Sequence, residues 1–527
     1  MEIWPTQATF TSGRPVELVV SAETAATVEV VVTRLGEPVA SPTASVPAGV
    51  STVELGVLRD GGYAVTAGDA STAFDVLATP MLRPRYGFLT DFSPGRADAE
   101  HAVLGVLRLH QNIVQFYDWM YRHADLLGAD DEFTDTCDSP KSHRTTADLV
   151  SRVRAAGALP MAYAATYGVG KEYAALHPEQ LLYHADGSPR MLADLLYIAD
   201  LSGPWTPHIV AEYRAAVDRL GFAGLHLDTY GTPKIAWDAS GVAVDLAEQF
   251  PPFVRAVRDE LPSSTLIFNN VNDYPTFATG TTPQDACYIE VWDPHREYSH
   301  LVGLIQRART LAPGLPVILA AYLVPFAEAP AAEAAWAARL SLATVFAHGG
   351  HYLLCGEGDG VLVHPYYPKF ARVDADAQLV LRKYFDFAVA QGDLLYDPAA
   401  HEVTRSYLAS EENDELAVSA DLPVSADPLP GHLWVIVRRS PLGLVVHLID
   451  LGGQSEVEWN RAKSVGGPRD GVRLRVRWPV ERARVGSPED GPNLCETTAT
   501  RDGDYVEVAV PSFTAWAAVH LPWEDES

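Results

Sequence analysis

Apolar and polar positions alternate with two different rhythms along this chain. From residue 1 to about 80 the apolar positions recur every second residue in short runs: VELVVSAE, TVEVVVTRL, STVELGVL, GGYAVTAG and STAFDVLA. Gly, Pro, Ser and Thr separate them. Such runs predict short antiparallel strands and a small immunoglobulin-like β-sandwich, although no Cys…Trp…Cys pattern accompanies them. Near Arg85 the rhythm changes. Strand-like runs at 85–92, 112–119, 159–168, 223–231, 265–271, 286–293, 316–324 and 351–357 alternate with stretches of helical period, and DAQLVLRKYFDFAVAQG closes the series. That alternation predicts a (β/α)8 barrel. The weakest link is the fifth helix, because little helical sequence separates Val271 from Ala286. An open doubly wound sheet is the alternative, but no glycine-rich phosphate fingerprint follows the first strand. From about residue 398 the short alternating runs return (HEVTRSYL, HLWVIVRRS, GLVVHLIDL, VRLRVRWPV, YVEVAVPS, AWAAVHLPW). The expected organisation is therefore a multidomain chain: an N-terminal β-sandwich over 1–82, a central barrel over 83–397 and a C-terminal antiparallel β-sandwich over 398–527.

A length of 527 residues, 47% hydrophobic content and 20% charged content suit several globular domains. The formal net charge of -29 argues against nucleic acid and anionic membranes as partners. It fits a neutral partner such as a sugar, and equally a surface that is merely soluble. Cys137, Cys287, Cys355 and Cys495 are scattered without a C-x-x-C pair, so they are expected to be reduced and buried rather than paired or zinc-bound. The N-terminus shows no charged stretch followed by an apolar one, and no apolar run has membrane-spanning length. A cytoplasmic protein is the expectation, or a secreted one whose signal has been removed.

The candidate chemistry centres on GFAGLHLDTYG (221–231). On a strand, Gly224, His226 and Asp228 share one face. An acid at the end of a buried apolar strand costs free energy to hold there, which marks Asp228 as a candidate catalytic carboxylate. Its bland reading is a strand-end acid capping the next turn through Thr229. In a barrel, functional side chains gather at the carboxyl ends of the strands. Those ends carry Asp118 and Trp119, Tyr163 and Tyr167, His226 and Asp228, Asn270 and Asn272, Glu290 and Trp292, and Glu357. Carboxylates among aromatic platforms and amides are suited to a sugar. Glycosidases need two carboxyl groups across the scissile bond, and Asp228 with Glu290 is the best pair. Glu290 could instead be an ion-pair partner of Arg296. His226, Trp119, Trp292, Tyr163 and Tyr167 could fill the barrel, Asn270 and Asn272 could shape a loop, and Glu357 could be structural. YGVGKEY lacks the Ser or Thr of a phosphate loop, GADDEFTDTCD lacks calcium-hand spacing, and HGGH (348–351) has no third metal ligand in view.

Four of these motifs, QFYDWMYRH (115–123), GLHLDTYG (224–231), YIEVWD (288–293) and GE…HPYYPKF (356–370), together resemble glycoside hydrolase family 66, the dextranases and cycloisomaltooligosaccharide glucanotransferases. The order sandwich, barrel, β domain is similar too. The resemblance implies a retaining mechanism on α-1,6-linked glucans, such as dextran or isomaltooligosaccharides, without a cofactor or metal. It places the nucleophile on Asp228 and the acid/base on Glu290, and it puts Asp118 in the sugar site. Cyclising members of the family carry an extra carbohydrate-binding module late in the barrel, where this chain has little beyond one helix. Hydrolysis is therefore the expected activity. Cyclising transglycosylation, non-catalytic glucan binding, and action on short imported oligomers are the rivals.

Overall fold

A computed structural model describes residues 1–408, 413–478 and 482–523. Eight parallel strands form its centre: β1 (Tyr86–Leu89), β2 (Ile113–Phe116), β3 (Leu159–Ala165), β4 (Gly224–Asp228), β5 (Thr265–Val271), β6 (Ala286–Glu290), β7 (Val317–Ala320) and β8 (His351–Tyr352). They pair in sequence order, β1 through β8. Between β8 and β1 the ladder is interrupted. The seam is closed by the segment after β8, where the Glu357 N–H donates to the Phe88 carbonyl (2.8 Å) and the Gln111 amide to the Cys355 carbonyl (2.7 Å). The sheet is thus a nearly closed barrel.

The helices on its outside are α1 (Ala99–Arg108), α2 (His143–Ala155), α3 (Trp205–Leu220), α4 (Leu246–Glu260), α5 (Tyr298–Leu311), α6 (Ala331–Ala347) and α7 (Ala375–Ala390). Several start where the sequence offers a side-chain cap for their free N–H groups. Ser142 accepts from Thr145 N–H, Asp245 from Ala247 N–H and Asp374 from Ala377 N–H. Only a four-residue turn of helix, Thr276–Thr279, stands between β5 and β6, as the thin sequence there predicts. Two glycines make β4 possible. Gly221 ends α3 at φ +81°, a left-handed conformation that side chains disfavour. Gly224 lies so close to β5 that a Cβ would sit 2.0 Å from the Thr265 carbonyl oxygen.

Strands flank the barrel on both sides in sequence. The first 77 residues form a three-stranded sheet and a six-stranded sheet around one apolar core that includes Leu18, Val20, Val32, Val65 and Phe74. Arg85 fastens this unit to the barrel. It pairs with buried Asp75 (2.7 Å) and donates to the Ala8 and His110 carbonyls. After α7 the chain builds a seven-stranded and a four-stranded sheet. The first of these lays Trp434, Ile436 and Trp516 against α6 and α7, in one core with Leu340, Phe346 and Phe385.

Three expectations need correction. HEVTRSYL is not one strand: His401–Glu402 is extended, and Thr404–Tyr407 turns into helix. The end of the strand expected over 472–480 lies outside the described residues; Arg473–Val476 is strand. All four cysteines are free, but only Cys287 and Cys355 are buried, while Cys137 and Cys495 are exposed. No helix among the described residues is long and apolar enough to cross a membrane.

Candidate active site

A cavity of about 480 Å³ opens at the carboxyl ends of the strands. Alternation along each strand decides which side chains enter it. On β4, Leu225 and Leu227 point outward into the core beneath α3 and α4, while His226 and Asp228 face the cavity. On β6, Glu290 reaches it from the last position. Between them, Asn269 of β5 donates its amide to both acids, at 2.7 Å to Asp228 Oδ1 and 2.9 Å to Glu290 Oε2. Because both oxygens accept from one nitrogen, they can be no more than about 5.6 Å apart. Asp228 Oδ2 accepts from the Tyr163 hydroxyl (2.8 Å), and Glu290 Oε1 from the Tyr322 hydroxyl (3.0 Å).

Neither acid has a cationic partner within ion-pair distance among the described residues. Arg296, the alternative partner for Glu290, grips Asp293 through two bonds of 2.6 Å. Burial, then the charge of Glu290, push Asp228 up to about 7, against the pull of the bonds from Asn269 and Tyr163. Burial raises Glu290 as well, opposed by Asn269 and Tyr322. Acids this close titrate as a pair, so the last proton belongs to both. The arrangement can keep one carboxylate charged beside one carboxylic acid near neutral pH. Asp118 is also pushed up to about 7, by burial and by Asp135, with Lys141 opposing. The His226 imidazole is buried, bonded to the Tyr86 hydroxyl (2.7 Å) and set edge-on to Tyr288. Burial lowers it to about 3, so it stays neutral and forms part of the floor.

Of the residues expected at the site, the cavity brings together Asp228, Glu290, Asp118, Tyr163, His226 and Trp292. Five others do not line it. Trp119 is turned out of the barrel and packs on Phe222, with its indole N–H on the Tyr163 carbonyl (3.1 Å). Tyr167 sits beyond β3 and braces the turn after Asp228: its hydroxyl accepts from Tyr230 N–H (2.9 Å) and donates to the Thr232 carbonyl. Asn270 has the opposite parity from Asn269. It bonds Thr279 Oγ1 (2.6 Å) and the Tyr288 carbonyl (3.0 Å), which ties the short helix to the sheet. Glu357 is consumed at the seam by Arg96 and by the Thr90 N–H (2.6 Å). Asn272, outside the cavity lining, holds the loop after β6 through the Asp293 carbonyl (2.7 Å) and the Trp292 N–H.

Sequence reasoning passed over Asn269, Tyr322, Tyr117, Tyr366 and Tyr367. The strand period contained the signal for two of them. Asn269 has the parity of Ile267, and Tyr322 that of Ile318 and Ala320, all inward. Tyr117, just past β2, and Tyr367, at the start of a 3₁₀ turn (Tyr367–Lys369), stack their rings at 4.3 Å and form an aromatic wall, and no periodicity reveals such a pairing.

The model of glycosyl hydrolase family 66 matches residues 7–520. The chain belongs to that family. A cycloisomaltooligosaccharide glucanotransferase from Niallia circulans is 28% identical over 287 residues, covering 49% of this family 66 chain and 29% of the relative. A second glucanotransferase of that organism is 27% identical over 289 residues, 49% of this chain and 30% of the relative. The aligned region thus spans under a third of either relative. Among solved structures, a Paenibacillus sp. cycloisomaltooligosaccharide glucanotransferase complexed with cycloisomaltoheptaose superposes with a TM-score of 0.89 at 19% identity, over 99% of both chains. An α-amylase from Geobacillus thermoleovorans, complexed with acarbose, superposes at 0.55 with 10% identity, over 85% of this chain and 99% of its own. At such identities the likeness is one of fold.

Proposed function

We propose that this chain cleaves α-1,6-glucosidic linkages of dextran or isomaltooligosaccharides with retention of configuration. The observation that carries the reading is the carboxyl pair bridged by Asn269. Oxygens within about 5.6 Å suit a retaining enzyme, whose carboxyls stand about 5–5.5 Å apart; inversion needs about 6.5–9.5 Å to admit a water. Asp228 attacks C1 of the glucosyl unit, the C1–O6 bond breaks, and the Glu290 proton passes to the departing O6. A glucosyl ester of Asp228 results. Glu290, now a carboxylate, takes a proton from water, the water oxygen bonds C1 and the ester bond breaks. Asp118 and the aromatic wall of Tyr117, Tyr163 and Tyr367 hold the glucosyl unit. Asn269 keeps the two acids at working distance.

A second reading replaces water by a sugar hydroxyl and gives cyclic isomaltooligosaccharides. The names of the relatives favour it, as does the fold shared over 99% of the Paenibacillus chain. Hydrolysis is favoured by the segment between β7 and β8, which holds only the short helix Pro325–Glu328 and α6. Mass spectrometry of the products from dextran separates the two, since rings are one water lighter than linear oligomers. NMR of the first product tests retention: an α-anomer is expected, and a β-anomer would overturn the mechanism. Asp228→Asn should lower kcat on the order of 10⁴-fold. Azide should restore turnover of an activated aryl glycoside by Glu290→Ala and yield an α-glucosyl azide.

A further inference from the structure

A second groove of about 460 Å³ adjoins the catalytic cavity and shares Trp292 and Tyr322 with it. Its far wall comes from the C-terminal part of the chain, from Glu458, Trp459, Asn460 and Arg461. This wall is built to stay in place. Trp459 donates its backbone N–H to the Arg296 carbonyl (2.9 Å) and its indole N–H to the His295 carbonyl (2.7 Å). Tyr298 N–H donates to the Val457 carbonyl (3.0 Å), and Val324 N–H to Asn460 Oδ1 (2.9 Å). Behind the wall, the buried Lys463 ammonium is bonded to Glu456 and to the Glu458 carbonyl. A strand-end loop of one domain is thereby fixed on the catalytic rim of another.

We infer that this groove holds the leaving half of the glucan and, on the return step, the acceptor. The inference rests on the proposed function and assigns a direction to its cleft. The acid must reach the departing oxygen, so the leaving chain lies on the side of Glu290. Tyr322 holds the outer oxygen of Glu290, and Trp292 follows two residues later. Both open onto the groove, whereas Asp118 lines the catalytic cavity and not the groove. Trp292 is 37% exposed, edge-on to Tyr322 at 5.5 Å, and offers a face for a pyranose ring. The polar lining matches a polyhydroxylated chain. The Asn460 amide oxygen accepts from Val324, and its N–H2 group has no protein acceptor among the described residues. Arg461 keeps donors beyond the one that bonds Glu458.

The test compares two substrates in the full chain. In isomaltohexaose the leaving group is a glucan. In 4-nitrophenyl α-isomaltoside it is a nitrophenol without hydroxyl groups for the groove to bind. Arg461→Ala combined with Asn460→Asp, which retains the oxygen for Val324, should lower the ratio of kcat/KM on the first substrate to that on the second about tenfold, the size of one or two lost hydrogen bonds. Transfer to added isomaltose, relative to hydrolysis, should fall alongside. An unchanged ratio, whether both rates hold or both drop together, would overturn the groove. A wild-type protein inert on both substrates would instead overturn the α-1,6-glucanase reading on which it rests. Thermal midpoints of both proteins, measured alongside, report any loss of folding.

Discussion

At the scale of single residues, the site stores an electrostatic cost that can be measured. The Asp228–Glu290 pair is held above the ordinary carboxyl range in the folded chain, with Asp228 pushed up to about 7, against about 3.9 for an aspartate in an unfolded one. Between those values the folded state binds the extra proton, so stability falls as pH rises from about 4 to about 7 and is flat above. Asp228→Asn removes that cost. Its stability relative to wild type should increase from pH 4 to pH 8, by about 1–4 kcal/mol, in urea titrations at the two pH values. The same reasoning gives Tyr322 a signature. Its hydroxyl donates to Glu290 and favours the ionised form. Tyr322→Phe should therefore move the basic limb of the kcat/KM profile to higher pH, by about 0.5–1 unit. A profile unmoved or moved down would count against Glu290 as the acid. His226 needs no such role, since burial keeps it neutral.

At the scale of elements, the strands were legible because each is a buried run flanked by caps and glycines. Every predicted barrel strand overlaps an observed one, and the stretches of helical period between them, with the closing DAQLVLRKYFDFAVAQG, became helices. What escaped was parity and what lies past strand ends. Counting from the apolar core of β5 separates Asn269 from Asn270, yet the run TLIFNNV is apolar on both faces until its last residues. Trp119 and Tyr167 follow the ends of their strands, where backbone turns break the alternation, as the left-handed φ of +53° at Asp118 shows. Glu357 looked like one more strand-end acid, whereas it is the clasp of the seam. Its carboxylate takes Arg96 and the Thr90 N–H with almost no solvent contact. Glu357→Gln leaves the buried Arg96 guanidinium with Asp98 (2.7 Å) as its remaining counter-charge and should cost about 1–3 kcal/mol, read as a lowered denaturant midpoint.

At the scale of the whole molecule, the barrel does not own its outer surface. α6 is buried along thirteen residues, because the seven-stranded sheet covers the side that a barrel helix ordinarily shows to water. The near-continuous apolar run of α6 is the mark of this in the sequence, although the partner it needs could not be read there. A chain ending at residue 397 would uncover Trp336, Leu340 and Phe385 together. It should be recovered as aggregate, while the full chain remains monodisperse in size-exclusion chromatography. The covered helix also bears on how the protein is made. Leu433–Ser440, the strand that brings Trp434 and Ile436 to this core, follows α6 by roughly ninety residues. At about 5–20 residues per second, a ribosome needs on the order of 10 s to supply it. For that interval the nascent barrel carries an apolar stripe on α6 that the sheet has yet to cover.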